Sequence, residues 1–464
     1  MMDCFAKPGA AAVPVTPVAA KDFKAWLAKQ DAQTRAWVTG NGFTAAAGRH
    51  LVIPNVKGGI GRVVLGRGEA ASMWDFGDLP KKLPAGRYVL DGLNAKKDAD
   101  AATAAALAWA LGSYHFGRYK AGGKIAAKLV WPAACDRARV EREAKGTILC
   151  RDLINTPTND MGPGDLADAA RALGRLFKAR VRVIEGDQLL KKNFPAIHAV
   201  GRASDRAPRL IDLTWGPANA PKVTLVGKGV CFDTGGLDIK TAAGMKFMKK
   251  DMGGAAHVLG IANVLMAAAA KIRLRVLIPA VENSISGNAM RPLDIVATRR
   301  GTTVEIGNTD AEGRVILADA LWDAVAESPD LLIDFATLTG AARVALGTDL
   351  PALFCNDDKL AADITAAGQA VEDPLWRLPL WDGYRSMVEG AQADLTNSPE
   401  GGYAGAITAA LFLEHFATPE KGKPVPWAHV DLMAWNLKSR PGRPQGGEAM
   451  GLRAMAAMIL KRFA

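Results

Sequence analysis

Three apolar runs in the second half of the chain limit its fold more than anything else in it. Residues 222–227 (KVTLVG), 274–281 (LRVLIPAV) and 331–338 (LLIDFATL) are short and rich in β-branched residues, without polar alternation. Strands buried on both faces read this way. Between the first two lies GGAAHVLGIANVLMAAAA, an apolar helical stretch. Between the last two lies RVILADALWDAVAES, where Ile316, Leu317, Ala320, Leu321 and Ala324 share one helical face. Strand and helix in alternation predict an α/β domain with a mixed, largely parallel sheet sandwiched by helices. In such sheets ligands bind beyond the carboxyl ends of the strands.

The earlier part of the chain reads as a second, smaller α/β domain. Short strand-like runs (RVVLGRG, GRYVLDGL, AKLVWPA) accompany an Ala-rich helical stretch, DADAATAAALAWALGSYHF. The segment GGIGRVVLGRG, 58–68, lacks the spacing of a dinucleotide loop and reads as part of a hairpin. A helical stretch beginning near residue 136 breaks at Asn155-Thr156-Pro157, since proline disfavours helix in the residue before it. The boundary is placed at its head, giving a first domain over 1–140, read as accessory, oligomerisation or regulatory, and a second over 141–464 that holds the three buried strands. The first 30 residues are Ala/Pro-rich, make a poor secretion signal and read as a loose leader.

Composition narrows the function classes. With 464 residues, 49% hydrophobic and 23% charged, the chain has ample material for two cores. No apolar run reaches the length of a membrane span. Five scattered cysteines form no CxxC, which fits a reducing cytoplasm and argues against a zinc–thiolate site. The net charge of +11 is uneven. Basic residues outnumber acidic ones 22 to 12 up to Lys145, and 36 to 35 beyond it. No dense basic cluster with interleaved aromatics accompanies that excess, so a solvated basic surface is the favoured reading over a nucleic-acid partner.

Chemistry is concentrated after the strands. Following KVTLVG come Lys228, Asp233, Lys240 and Asp251 in a glycine-rich stretch. Just before the RVILADAL helix comes NTDAEGRV, with Asp310, Glu312 and Arg314 at alternate positions. One sheet edge would therefore gather Asp233, Asp251, Asp310 and Glu312. Four carboxylates that close raise one another's pKa, unless divalent cations settle the repulsion. Oxygen ligands suit magnesium, manganese or zinc, and four carboxylates suit two ions with a bridging water. The order of a phosphate-binding P-loop is absent. Six histidines form no HExxH; His257, inside the apolar helix, reads as structural, and Cys231 as a small buried strand residue.

Together these segments resemble the leucyl aminopeptidase (cytosol aminopeptidase) family. VGKGVCFDTGGLDIKTAAGMKFMKKDMGGAA and GNTDAEGRVILADAL look like its two central motifs, in order. LINTPTNDMGP, DFATLTGAARVALG, GGYAGAITAALFLEHF and WAHVDLMAW also look like family stretches, so the likeness spans about 145–440. The resemblance implies that Lys228, Asp233, Asp251, Asp310 and Glu312 hold two divalent ions, manganese or zinc, with magnesium or cobalt as alternatives. Asp233 and Glu312 would bridge them, the Asp310 carbonyl would add a ligand, and Lys228 would bind as a neutral amine. It assigns catalysis to Lys240 and Arg314, with bicarbonate held by Arg314 as the proton relay. Met248, Thr337, Leu338, Thr339 and Gly340 would line the pocket for the substrate's first side chain.

The implied activity is release of N-terminal residues, leucine-like among them, from peptides with a free N-terminus. The implied assembly is a cytoplasmic homohexamer built as a dimer of trimers. Two alternatives share the fold: a DNA-binding regulator, suggested by the basic first third, and a cysteinylglycine-type dipeptidase. One stretch departs from the family. Where Gly-x-x-Gly-Arg-Pro is usual near the C-terminus, this chain has Glu448-Ala449-Met450-Gly451-Leu452-Arg453, a stretch that shapes the side-chain pocket in similar proteins.

Overall fold

The computed structural model describes residues 3–9, 11–93, 95–123 and 125–464. The chain divides into two compact units, Met1–Ile148 with Lys438–Gln445, and Leu149–Leu437 with Gly446–Ala464. They separate within the helix Arg137–Asn155, whereas the sequence division at 140 lies near its head.

In the first unit a six-stranded sheet is built from β1 (Phe5–Ala6), β2 (Val13–Val18), β3 (His50–Pro54), β4 (Ile60–Gly66), β5 (Gly86–Leu90) and β6 (Ala127–Val130), in the order β1-β6-β5-β2-β4-β3. All neighbours are parallel except the hairpin of β3 with β4. Alternation along β4 sends Val63 and Leu65 into one apolar layer with the helix Ala99–Gly112, and Val64 into another with Val38 and Phe43.

The expected loose leader is corrected here, because Val13–Val18 is an interior strand of this sheet. Its prolines made it read as a leader. Pro14 lies beside β5 alone and Pro17 beside β4 alone, so each missing N–H can fall on an unpaired side.

The second unit holds a nine-stranded sheet. Its strands are β7 (Arg180–Glu185), β8 (Arg209–Trp215), β9 (Lys222–Gly227), β10 (Gly229–Asp233), β11 (Arg273–Asn283), β14 (Leu331–Ala336), β15 (Ala352–Cys355), β16 (Trp376–Arg377) and β18 (Trp427–Asp431). The short strands β12 (Ile295–Ala297), β13 (Thr303–Glu305) and β17 (Leu395–Thr396) pair separately. The order is β16-β15-β18-β14-β9-β11-β8-β7, with β10 also on β11. The centre, β18-β14-β9-β11, is parallel, and antiparallel strands flank it.

Along β14, Leu331, Ile333 and Phe335 enter one apolar layer, with the helices Pro163–Phe177, Gly253–Ala267, Asp358–Ala370 and Leu452–Arg462. Leu332 and Ala336 enter the other, with Pro195–Gly201, Glu312–Val325 and Gly405–Ala417. Both faces are covered, which is why the strands carry no polar alternation. Among the described residues no helix is long and apolar enough to cross a membrane.

Candidate active site

The chemistry-bearing residues collect at the carboxyl ends of the parallel strands. Lys228 links β9 to β10, and Asp233 ends β10. Asp251 follows the turn Met248–Lys250 and precedes the helix Gly253–Ala267. Asp310 lies in the turn Thr309–Ala311, and Glu312 opens the helix Glu312–Val325. Thr337, Leu338 and Thr339 follow β14 and lead into the helix Gly340–Leu346. The Lys228 backbone is pinned on both sides: its N–H donates to Phe335 O at 3.0 Å, and its carbonyl accepts from Ala255 N at 2.9 Å.

One carboxylate oxygen each from Asp233, Asp310 and Glu312 lies within 4.8 Å of the others. Lys228 Nζ brings in the fourth carboxylate, at 2.9 Å from Asp251 Oδ2 and 2.9 Å from Glu312 Oε1, and donates to Thr337 O at 3.0 Å. Lys240 Nζ lies 2.8 Å from Asp233 Oδ2 and also contacts Asp310 Oδ1. Gly313 makes the Lys228 position possible, since a Cβ there would stand 2.6 Å from Lys228 Nζ and Cε.

The electrostatics show an arrangement short of positive charge. Burial raises Glu312 to about 8; Asp233 and Asp251 add to this, and Lys228 opposes it. Burial also raises Asp310, with Asp233 adding. Burial alone would lower Lys228, but Asp251, Glu312 and Asp233 outweigh it and hold the ammonium well above its usual range. Ligation by Lys228 as a neutral amine, which the family resemblance implies, would therefore need dications in place to displace that proton. Lys240 is raised in the same way, burial being outweighed by Asp233. Burial lowers Arg314 to about 10 and Lys250 to about 8.

Glu312 is fully buried, and its Oε2 has no hydrogen-bond donor among the described residues. The oxygens facing Lys228 and the Asp310 oxygen facing Lys240 make ion contacts rather than well-aimed hydrogen bonds. A set of carboxylates with an orphaned oxygen and one amine fits divalent ions.

A cavity of about 330 Å³ opens beside this cluster. Lys228, Asp233, Lys240, Met248, Asp251, Asp310, Arg314, Thr337, Leu338, Thr339 and Gly340 all line it, so the structure brings every residue singled out in the sequence to one place, Glu312 lying buried behind. The stretch Glu448–Arg453 does not line this cavity. It makes structural ties instead: Glu448 pairs with Arg151 at 2.8 Å, Met450 N donates to His257 Nε2 at 2.8 Å, and Gly451 N to Asp373 at 2.9 Å.

Known families and structures match this arrangement. Residues 148–456 match the cytosol aminopeptidase family, catalytic domain, and residues 13–132 the N-terminal domain of the M17 aminopeptidases. The chain belongs to the cytosol aminopeptidase family. A probable cytosol aminopeptidase of Rhizobium rhizogenes is 43% identical over 70% of this chain, an alignment spanning 65% of that relative. Peptidase B of Serratia proteamaculans is 41% identical over 71% of this chain and 78% of its own length. The crystal structure of a cytosol aminopeptidase from Coxiella burnetii superposes with a TM-score of 0.93 at 50% identity, covering 100% of both chains. The bottromycin maturation enzyme BotP in complex with Mn follows at 0.86 and 33% identity, covering 98% of this chain and 100% of its own.

Beside these residues, Asn283, Asn397 and Asp431 escaped the sequence reading because each acts through a partner far away in the chain. Asn283, at the end of β11, donates to Asp233 Oδ1 at 2.9 Å and to Thr309 O at 3.1 Å. Asn397 donates to Asn308 O at 2.8 Å, and its carbonyl accepts from Arg314 Nη1 at 2.7 Å. Asp431 accepts from Leu338 N at 3.0 Å and from the Thr339 hydroxyl at 2.6 Å, which fixes the cavity wall. Lys250 and Arg343 line the cavity as well. The family stretch WAHVDLMAW marked the Asp431 region without assigning it a role.

Proposed function

We propose that the chain releases N-terminal residues from peptides with a free N-terminus, using two divalent ions held by Lys228, Asp233, Asp251, Asp310 and Glu312. The observation that carries this reading is the buried carboxylate group with an oxygen that no donor among the described residues satisfies. Bound there, two dications would acidify a shared water and polarise the scissile carbonyl. The residues around them have separate tasks. Lys240, an ammonium at the cavity edge beside Asp233, would donate to the oxyanion as it develops. Arg314 would hold the bicarbonate. Its Nε is buried without a partner, and its place in the first turn of the helix Glu312–Val325 favours an anion. Met248 and Thr337–Gly340 would receive the first side chain, with Asp431 keeping that wall in position.

Manganese or zinc fits the oxygen-rich donor set, and magnesium or cobalt remain alternatives. The manganese complex of the BotP relative supports the first. A cytoplasmic location accords with the relatives' name and with five cysteines that form no disulfide. A homohexamer follows from the family resemblance and is measurable by light scattering.

The deciding experiment adds Mn, Zn, Co or Mg back to chelator-stripped protein and follows turnover of an aminoacyl-amide panel alongside its N-acetylated counterparts. Restored turnover of the free amines alone is expected. Equal turnover by the stripped protein, or cleavage of the acetylated compounds, overturns the reading.

A further inference from the structure

The cavity carries two cations that the reaction above does not use. Lys250, on the turn Met248–Lys250, is only 3% exposed, yet its ammonium makes no hydrogen bond or ion pair with another described residue. Arg343, in the helix Gly340–Leu346, has no carboxylate partner among the described residues. Its Nη1 rests 3.4 Å from the Met433 thioether sulfur, a weak acceptor, and its Nη2 would lie 3.4 Å from a Cβ at Gly340.

A buried charge such as Lys250 is ordinarily paired, because an unpaired one forfeits its hydration without return; Arg343 is half-buried at the same wall. The acids near these cations are already engaged. Asp233 and Asp310 face Lys240, and Asp251 faces Lys228. Dications bound there would engage those carboxylates, Asp251 beside Lys250 included, and would leave Lys250 and Arg343 without a counter-charge of their own. Their position says which part of a substrate could compensate them. Lys250 follows Met248 by two residues, and Arg343 follows Gly340 by three, about one helical turn. Met248 and Gly340 are the residues proposed above to receive the first side chain.

We propose that Lys250 and Arg343 set the specificity of this pocket for an acidic first residue, so that peptides beginning with glutamate or aspartate are the preferred substrates. The inference rests on the aminopeptidase reading and refines it. A carboxylate could also reach these cations from the C-terminus of a dipeptide, and the test separates the two sources.

The full-length, manganese-loaded protein is assayed with glutamyl-, aspartyl-, leucyl- and methionyl-p-nitroanilide, which have no C-terminal carboxylate. Leucyl-glycine and its amide are assayed beside them, and metal content is measured for each protein. The expected glutamyl-to-leucyl ratio of kcat/KM exceeds one in the native chain. It falls about 10- to 100-fold in Lys250→Met and in Arg343→Met, the scale on which a site built for a polar partner discriminates. A native ratio below one overturns the proposal, and so does a ratio that both variants leave in place. A preference for leucyl-glycine over its amide that both variants abolish assigns the cations to the C-terminal carboxylate and also overturns it. Turnover of the leucyl compound alone removes only this inference. No turnover of any member removes the aminopeptidase reading with it.

Discussion

At the residue scale, the site is an exchange of positive charge. Lys228 and Lys240 sit among four carboxylates, and Glu312 Oε2 is left with no donor among the described residues. If Lys240 acts on the oxyanion rather than on the ions, Lys240→Ala should keep two ions per chain by elemental analysis while kcat falls about 10²- to 10³-fold. Loss of the ions in that variant would make Lys240 a structural counter-charge instead. Asn283 leads to the opposite expectation. It orients Asp233 through Oδ1 and does not itself line the cavity. Asn283→Ala should weaken metal affinity about 10- to 100-fold, as loss of a supporting hydrogen bond to a ligand does, with turnover largely recovered at saturating metal. Gly313 is a steric requirement, legible only once Lys228 is placed. Gly313→Ala puts a methyl 2.6 Å from the amine and should abolish stoichiometric metal binding, read by the same elemental analysis.

At the scale of elements, the helix Gly253–Ala267 brings its first turn against the site and is held there by a histidine. His257 Nδ1 donates to Gly253 O at 2.6 Å, and Nε2 accepts from Met450 N at 2.8 Å, an arrangement that requires a neutral ring. Burial lowers His257 to about 4, with the Gly253 carbonyl, Asp373 and Glu448 opposing. The folded value thus lies below the unfolded value of about 6.5, so the unfolded chain binds more protons between them. The stabilisation is complete above about pH 6.5 and is lost as pH falls toward 4, by roughly 3 kcal/mol for this fully buried ring. Urea unfolding at pH 7.5 and pH 5 should show a smaller difference in His257→Gln than in the native chain. An identical difference would remove His257 as the source. The helix itself was plain in the sequence, and so was the structural reading of this histidine. Its partner at Met450 was not, because a backbone N–H 193 positions away leaves no mark in composition.

At the scale of the whole molecule, metal and fold are coupled. Bound ions would relieve the carboxylate repulsion in the folded state alone, so they should raise the thermal midpoint, and chelation should lower it. The stabilisation is about 2.7 kcal/mol when free metal is 100 times its dissociation constant. A midpoint unmoved by chelator and by added manganese would argue that the cluster is satisfied without ions. The sequence by itself was enough for the parallel centre of the second unit, because strands buried on both faces must be continuously apolar and KVTLVG, LRVLIPAV and LLIDFATL are. It was also enough to bring the metal and catalytic candidates under one heading, since sites of such sheets lie past the strand ends and those residues follow the strands. Only the tertiary structure decided that VPVTPV is an interior strand, because where each proline's missing N–H falls depends on which neighbour pairs beside it. Only the tertiary structure gathers Lys438–Gln445 into the first unit, where Gly77 and Gly442 approach so closely that a Cβ at Gly77 would stand 2.5 Å from Gly442 N. The same holds for Lys250 and Arg343. Whether a cation has a partner is a fact about distances in three dimensions, and charge along a sequence carries no distances.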